Sequence, residues 1–258
     1  MRLNVTRLAL TAALVGFLAT GASAQEGNGE IDNGTNPTRL SRSFITNVEY
    51  VDLFDGYTSK ALKLTYSQPF GKRRDYSIQF KVPITSVDSR GEDKFGLGDG
   101  SLQLVHVFGV TRERGFVAKG ELIFDSASRD ELGSGQNVFK GTFIYAKFLA
   151  NGHIFAPSWV QNVGVWGADD QPRVNLTTLD FYYVPKFKDK RYLMTLDPSL
   201  NYDWQSEREF AGLAVTVGRV LGPAFGGNAI VTLKPQLTFG HERPFEWAVE
   251  ATFKLIGF

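Results

Sequence analysis

Apolar and polar positions alternate along residues 191–204: Tyr192, Met194, Leu196, Pro198, Leu200, Tyr202 and Trp204 fall on one side, and Thr195, Asp197, Ser199, Asn201 and Asp203 on the other. Successive side chains of a strand point to opposite faces, so this run predicts one strand with an oily face and a wet face. It outruns the usual globular strand of about five or six residues. Aromatic side chains close the apolar row at both ends, Tyr192 at one and Tyr202 with Trp204 at the other, as in the girdles that sit at lipid headgroups. The apolar medium that such a strand predicts is a membrane.

The same pattern recurs from Ser43 onward, punctuated by turn chemistry. Leu62, Leu64 and Tyr66 alternate with Lys63, Thr65 and Ser67; beyond a turn at Gly71 to Arg74, Tyr76, Ile78, Phe80 and Val82 alternate with Ser77, Gln79 and Lys81. Phe116, Ala118, Gly120, Leu122 and Phe124 oppose Lys119, Glu121 and Asp125. Asn151-Gly152 marks a hairpin between strands near 138–149 and 153–166. Further strands fall near 173–187, 191–204, 210–220, 229–240 and 245–258, and with a first strand near 44–54 the count is about twelve. A segment of about eleven residues tilted near 40° rises roughly 28 Å, close to the apolar thickness a membrane requires.

The connections at Gly71, Thr111, Asn151, Lys188 and Leu221 all follow even strands and so lie on one side, while the longest ones, before Gly98 and before Gln136, fall on the other. Outer-membrane barrels have an even strand count, short periplasmic turns and longer outer loops. Two features run against the scheme. Pro157, Pro198 and Pro235 sit inside predicted strands, and a closed barrel has no edge to hide a missing N–H; each predicts a bulge, a strand end or a different boundary, and a soluble all-β protein is the alternative. The last strand ends in an aromatic, Phe258, like the signal read by the barrel assembly machinery, but Ile256 and Phe258 share the parity of Glu250 and Lys254, and Gly257 would have to shift the register.

The chain begins with Arg2 and Arg7, an apolar stretch from Leu8 to Leu18, and Ala22-Ser23-Ala24. This predicts a signal peptide over residues 1–24, cleaved after Ala24, because the apolar run is shorter than the roughly 20 residues of a spanning helix. Residues 25–42, rich in Gly, Asn, Thr and Glu without periodicity, predict a flexible tail. The barrel is then 43–258. The hydrophobic share of 43 % is ordinary, as a barrel with a polar lumen would have it. A net charge of +1 gives no reason to expect nucleic acid, and the absence of Cys excludes disulfides and thiolate metal sites.

Candidate chemistry is sparse. His106, His153 and His241 have no metal-ligand spacing and lie in no nucleophile motif. Asp169-Asp170 with His153 is the nearest approach to the acidic pair and His of an outer-membrane protease, and a solvated loop is its simpler reading. No catalytic residue, metal or cofactor is expected. Lys63, Lys81, Lys119, Glu121, Asp125, Arg191, Asp197, Asp203, Lys234, Glu250 and Lys254 all fall on the predicted lumen side. They form either a cross-strand network that fills the interior or a charged constriction on a conduction path. About twelve strands lies between the packed eight-stranded barrel and the open porin.

Phe95-Gly96-Leu97-Gly98-Asp99 before the strand 101–108, and Leu132-Gly133-Ser134-Gly135 before the strand with Phe143 and Tyr145, resemble in order two glycine-rich loops of an outer-membrane "transporter" family named for the meta-pathway of phenol degradation. The resemblance covers about 62–258 and marks Gly96, Leu97, Gly98 and Asp99. It implies a barrel passing small, often aromatic or hydrophobic compounds across the outer membrane of Gram-negative bacteria, and brings no catalytic residues. The expectation is an all-β transmembrane antiparallel up-and-down barrel, a monomer in contact with outer-membrane lipid, the assembly machinery and a small organic solute. An occluded structural barrel and a barrel hydrolase are the alternatives.

Overall fold

The computed structural model describes residues 32–89, 92–167, 173–241 and 243–258; the predicted leader and Asp169-Asp170 lie outside them. The strands are β1 (Ser43–Asp52), β2 (Thr58–Phe70), β3 (Tyr76–Ser89), β4 (Glu92–Leu97), β5 (Ser101–Phe108), β6 (Arg114–Ile123), β7 (Gln136–Phe148), β8 (Ile154–Gly167), β9 (Asn175–Val184), β10 (Tyr192–Asp203), β11 (Arg208–Ala224), β12 (Gly227–Phe239) and β13 (Trp247–Ile256). Each pairs antiparallel with its neighbours, and β1 closes on β13 from Ser43↔Ile256 to Asp52↔Trp247. β4 and β5 follow one another along the same flank of β3, β4 opposite Ile84–Ser89 and β5 opposite Tyr76–Lys81. Thirteen segments therefore make a closed twelve-stranded antiparallel barrel.

The three prolines lie within strands after all. A strand's N–H groups point alternately to its two neighbours, so a proline interrupts only one ladder. Pro157, Pro198 and Pro235 keep their pairing to β9, β11 and β13, at Phe181, Leu213 and Val249. The opposite ladders skip two positions there: β7–β8 between Ile144↔Ser158 and Lys147↔Phe155, β9–β10 between Tyr183↔Leu196 and Asp180↔Ser199, and β11–β12 between Ala214↔Gln236 and Val217↔Leu233. A long ladder on the other flank carries the strand across the gap.

The outer face is apolar and solvent-accessible: Val48, Phe80, Phe143, Leu200, Leu213 and Leu233 are each more than a third exposed. A monomeric soluble protein rarely exposes so continuous an apolar belt. Leu233→Arg, placed midway along β12 on this face, should destabilise the barrel by about 2–4 kcal/mol in lipid. Gln236→Arg, on the lumen parity of the same strand, should cost a fraction of that. Denaturant unfolding of the vesicle-inserted protein, followed by Trp fluorescence, measures both; equal costs would mean that the belt is not lipid-facing.

Inside, the short-turn end is apolar. Val105, Val107, Val117, Ile144, Ala146 and Ala156 form one buried cluster on β5–β8. Leu193, Val220, Ile230 and Ile256 form a second on β10–β13. The off-parity C-terminal row is explained by this second cluster: Ile256 points inward as part of it, and the strand ends before Gly257, whose φ of +79° turns the chain.

Candidate functional site: a polar belt above a crossed mouth

Above the apolar clusters the inward side chains are polar and charged. Glu121, 4 % exposed, accepts from Lys81 Nζ at 2.7 Å and Ser101 Oγ at 2.6 Å on one oxygen and from Gln103 Nε2 at 3.0 Å on the other. Lys119, two residues away, and Lys140, directly opposite on β7, share the field of this carboxylate, and Lys140 is also within the field of Asp180; among the described residues neither forms an ion pair. Further round, Ser158 Oγ donates to Asp180 at 3.3 Å, and Asp197 on β10 stands within the field of Asp180. Lys63 with Glu49 at 2.6 Å, and Lys234 with Glu250 at 3.8 Å, complete the ring. A solute in the belt thus meets a wall on β3–β7 where three ammonium groups surround one carboxylate, and a wall on β9–β10 carrying two carboxylates.

Of the residues proposed from the sequence, Lys63, Lys81, Lys119, Glu121, Asp197, Lys234, Glu250 and Lys254 lie on inward strand positions. Asp125 and Arg191 do not join them, because the strands stop first, and Asp203, the last residue of β10, is held by the turn that follows. Asp125 lies beyond β6 in an exposed loop. Arg191 lies in the turn before β10, where its guanidinium holds both Asp189 oxygens, one at 2.8 Å, and keeps that carboxyl down at about 2. Asp203, at the end of β10, accepts from Gln205 N and Ser206 Oγ and so caps the following turn. Glu49, Lys140 and Asp180 belong to the belt, and the same alternation marks them, opposite Val48, Phe139 and Leu179 respectively.

The Gly96-to-Asp99 motif marks the place where β4 gives way to β5. The far edge of β4 pairs with no other described strand; the loop 124–135 lies along it, with Ser128 N donating to Leu97 O at 2.9 Å. Asp99 holds that loop by accepting from the backbone N–H groups of Ser126, Ala127 and Ser134 and from Ser134 Oγ. A side chain on Gly96 would collide with Ser128, and one on Gly98 would crowd the carbonyl of Leu132. The motif's spacing is thus the fit of a loop against a broken strand.

Residues 32–42, for which the sequence predicts a flexible tail, run across the short-turn mouth inside the barrel. Asn33 and Asn36 fold the segment by accepting from Thr35 and Thr38, and Asp32 joins its ends through Ser41 Oγ at 2.5 Å and Arg39 at 3.3 Å. Gly34 abuts Ile256 on β13, Thr38 abuts Gly115 at the start of β6, and the Thr35 carbonyl accepts from Tyr182 Oη on β9 at 3.2 Å. These strands are spread around the wall, so the segment spans the opening. Leu40 packs on the Val105–Ala156 cluster. A cavity of about 130 Å³ remains beside the ends of β8–β10, room for a few waters.

Among the described residues His106 and His153 meet aromatic side chains. His153 is hydrogen-bonded to the Tyr183 hydroxyl and His106 is stacked on Tyr76. His153 precedes β8 at the short-turn end, and Asp169-Asp170, the acidic pair considered with it, lies outside the described residues. Among the described residues no three His, Asp or Glu side chains could hold a metal ion.

No protein-family model matches the chain, and no curated protein matches its sequence. Among solved structures it is similar to an outer membrane channel from Pseudomonas putida F1, with a TM-score of 0.66 at 12 % identity over 88 % of this chain and all of that one. A membrane protein crystallised in meso aligns over 84 % of this chain and 83 % of its own, with a TM-score of 0.51 at 11 % identity.

Proposed function

We propose that this barrel sits in the bacterial outer membrane and acts as a passive channel or uptake protein for small organic solutes. Its short turns and the ends of β1 and β13 face the periplasm, as the topology of outer-membrane barrels requires. The observation that carries the reading is the polar belt with Lys119 and Lys140 unmatched. An interior built only as filling pairs its charges, because an unpaired buried ion is costly; ammonium groups left over on one wall and carboxylates on another suit a hydrated passage. The similarity in fold to a solved outer membrane channel supports it, and the two glycine-rich loops support aromatic or hydrophobic compounds as the solute class.

The crossing segment supports a second reading, a barrel closed by residues 32–42 that serves a structural role. Liposome uptake separates the two. Vesicles containing the purified protein should admit small aromatic solutes faster than sugars of equal mass. Absence of uptake, both by the whole chain and by one lacking the crossing segment, would leave the structural reading.

A further inference from the structure

On the outer face at the short-turn end, six rings follow one another around the wall: Phe70, Tyr76, His106, Phe108, Phe116 and Tyr145, neighbouring centroids lying 4.2–5.6 Å apart. Phe116 and Tyr145 are cross-strand partners, and the next outward pair toward the turns is Arg114 opposite Lys147. Two like charges directly opposite on a ladder repel. Both side chains are exposed, and among the described residues neither has an ion-pair or side-chain hydrogen-bond partner. Arg73 and Arg74 in the β2–β3 turn and Arg112 in the adjacent β5–β6 turn are likewise exposed and unpaired. Asp75 and Glu113 are the acidic residues of these turns, and neither closes an ion pair with this set. The whole chain has a net charge of only +1, so this excess is a matter of placement.

We propose that this band is a binding site for an anionic glycerophospholipid of the periplasmic leaflet. Its phosphate would lie between Arg114 and Lys147, with Arg74 and Arg112 flanking, and its acyl chains would lie along the rings above. The levels match: aromatic rings sit at the membrane interface, and one outward step of two residues lowers the next pair by roughly 5 Å along the membrane normal, into the phosphate layer. A guanidinium donates two hydrogen bonds to phosphate oxygens, and an anion there turns the Arg114–Lys147 repulsion into attraction. A soluble anion would leave the aromatic row unused, whereas a lipid engages both halves.

The proposal rests on the membrane-barrel reading, and the test separates the two. The folded full chain is released from micelles carrying equal phosphatidylglycerol and phosphatidylethanolamine, and retained lipid is read by native mass spectrometry. Phosphatidylglycerol should be retained preferentially, and the double variant Arg114→Gln/Lys147→Gln should lose roughly 30-fold in its apparent affinity, from what two basic side chains contribute near an anionic surface. Lys60→Gln, at the opposite rim, should change nothing. Heat-modifiable electrophoretic mobility confirms that each variant is folded. Equal retention of both lipids, unchanged preference in the double variant, or full displacement by millimolar inorganic phosphate would overturn the lipid site. Failure of the unmodified chain to insert into vesicles would instead overturn the barrel reading beneath it.

Discussion

Deleting residues 32–41 should raise single-channel conductance in planar bilayers several-fold and make it steady where that of the intact chain is small or intermittent. The segment touches β6, β9 and β13 from inside, so it stands across the path at the short-turn mouth. What holds it is modest. Leu40, only partly buried against the apolar cluster, is worth less than a fully buried leucine, which contributes about 1.5–3 kcal/mol, and the Tyr182 hydrogen bond is worth about 1 kcal/mol, against the entropy of ordering the chain at about 1 kcal/mol or more per residue. A contact of this balance can open without unfolding the barrel. Tyr182→Phe should therefore act in the same direction as the deletion, raising the open fraction of the intact chain without changing the open conductance. If the truncated barrel conducts no better than the full chain, the barrier lies elsewhere and the belt is a filled interior.

Glu121→Ala should cost about 3 kcal/mol or more, the lower part of the range for orphaning a buried charge, and should shift ion selectivity toward anions. The carboxylate is 4 % exposed and bonded to Lys81, Ser101 and Gln103. Without it, Lys81, Lys119 and Lys140 face one another with no counter-charge on their wall, and two buried polar side chains lose their acceptor. Unfolding in denaturant measures the first effect, and the reversal potential under a KCl gradient the second. Glu121→Gln keeps an acceptor for Ser101 while removing the charge, so it should recover part of the stability and none of the selectivity. An unchanged reversal potential in both variants would show that ions do not pass this wall.

Much of this was legible from alternation alone. Parity put Lys81, Glu121, Asp197 and Lys234 inside, and the same parity marks Lys140 and Asp180, since period two is a property of each strand and needs no partner. Where strands stop is not local. Asp125, Arg191 and Asp203 have the right parity, but Asp125 and Arg191 stand outside the strands and Asp203 is the last residue of its own, and their side chains turn to loops and turns. The prolines misled for a related reason: whether a missing N–H is tolerated depends on the ladder on the other flank, and residues near Pro198 say nothing about Leu213.

The order of strands, the closure, the two faces and the side that carries the short turns follow from the sequence by itself, because they are set by local periodicity and turn chemistry. The tertiary structure alone decided what fills the mouth and what remains unpaired. Residues 32–42 have no hydrophobic period because they make no regular element, and their order comes from Ile256, Gly115 and Tyr182, far along the chain. Likewise, Lys119 and Arg114 look like any other strand lysine or turn arginine until closure sets their neighbours, leaving one beside an already occupied carboxylate and the other opposite a second cation. Charge is carried by residues, but its pairing is a property of distances that only the closed barrel fixes.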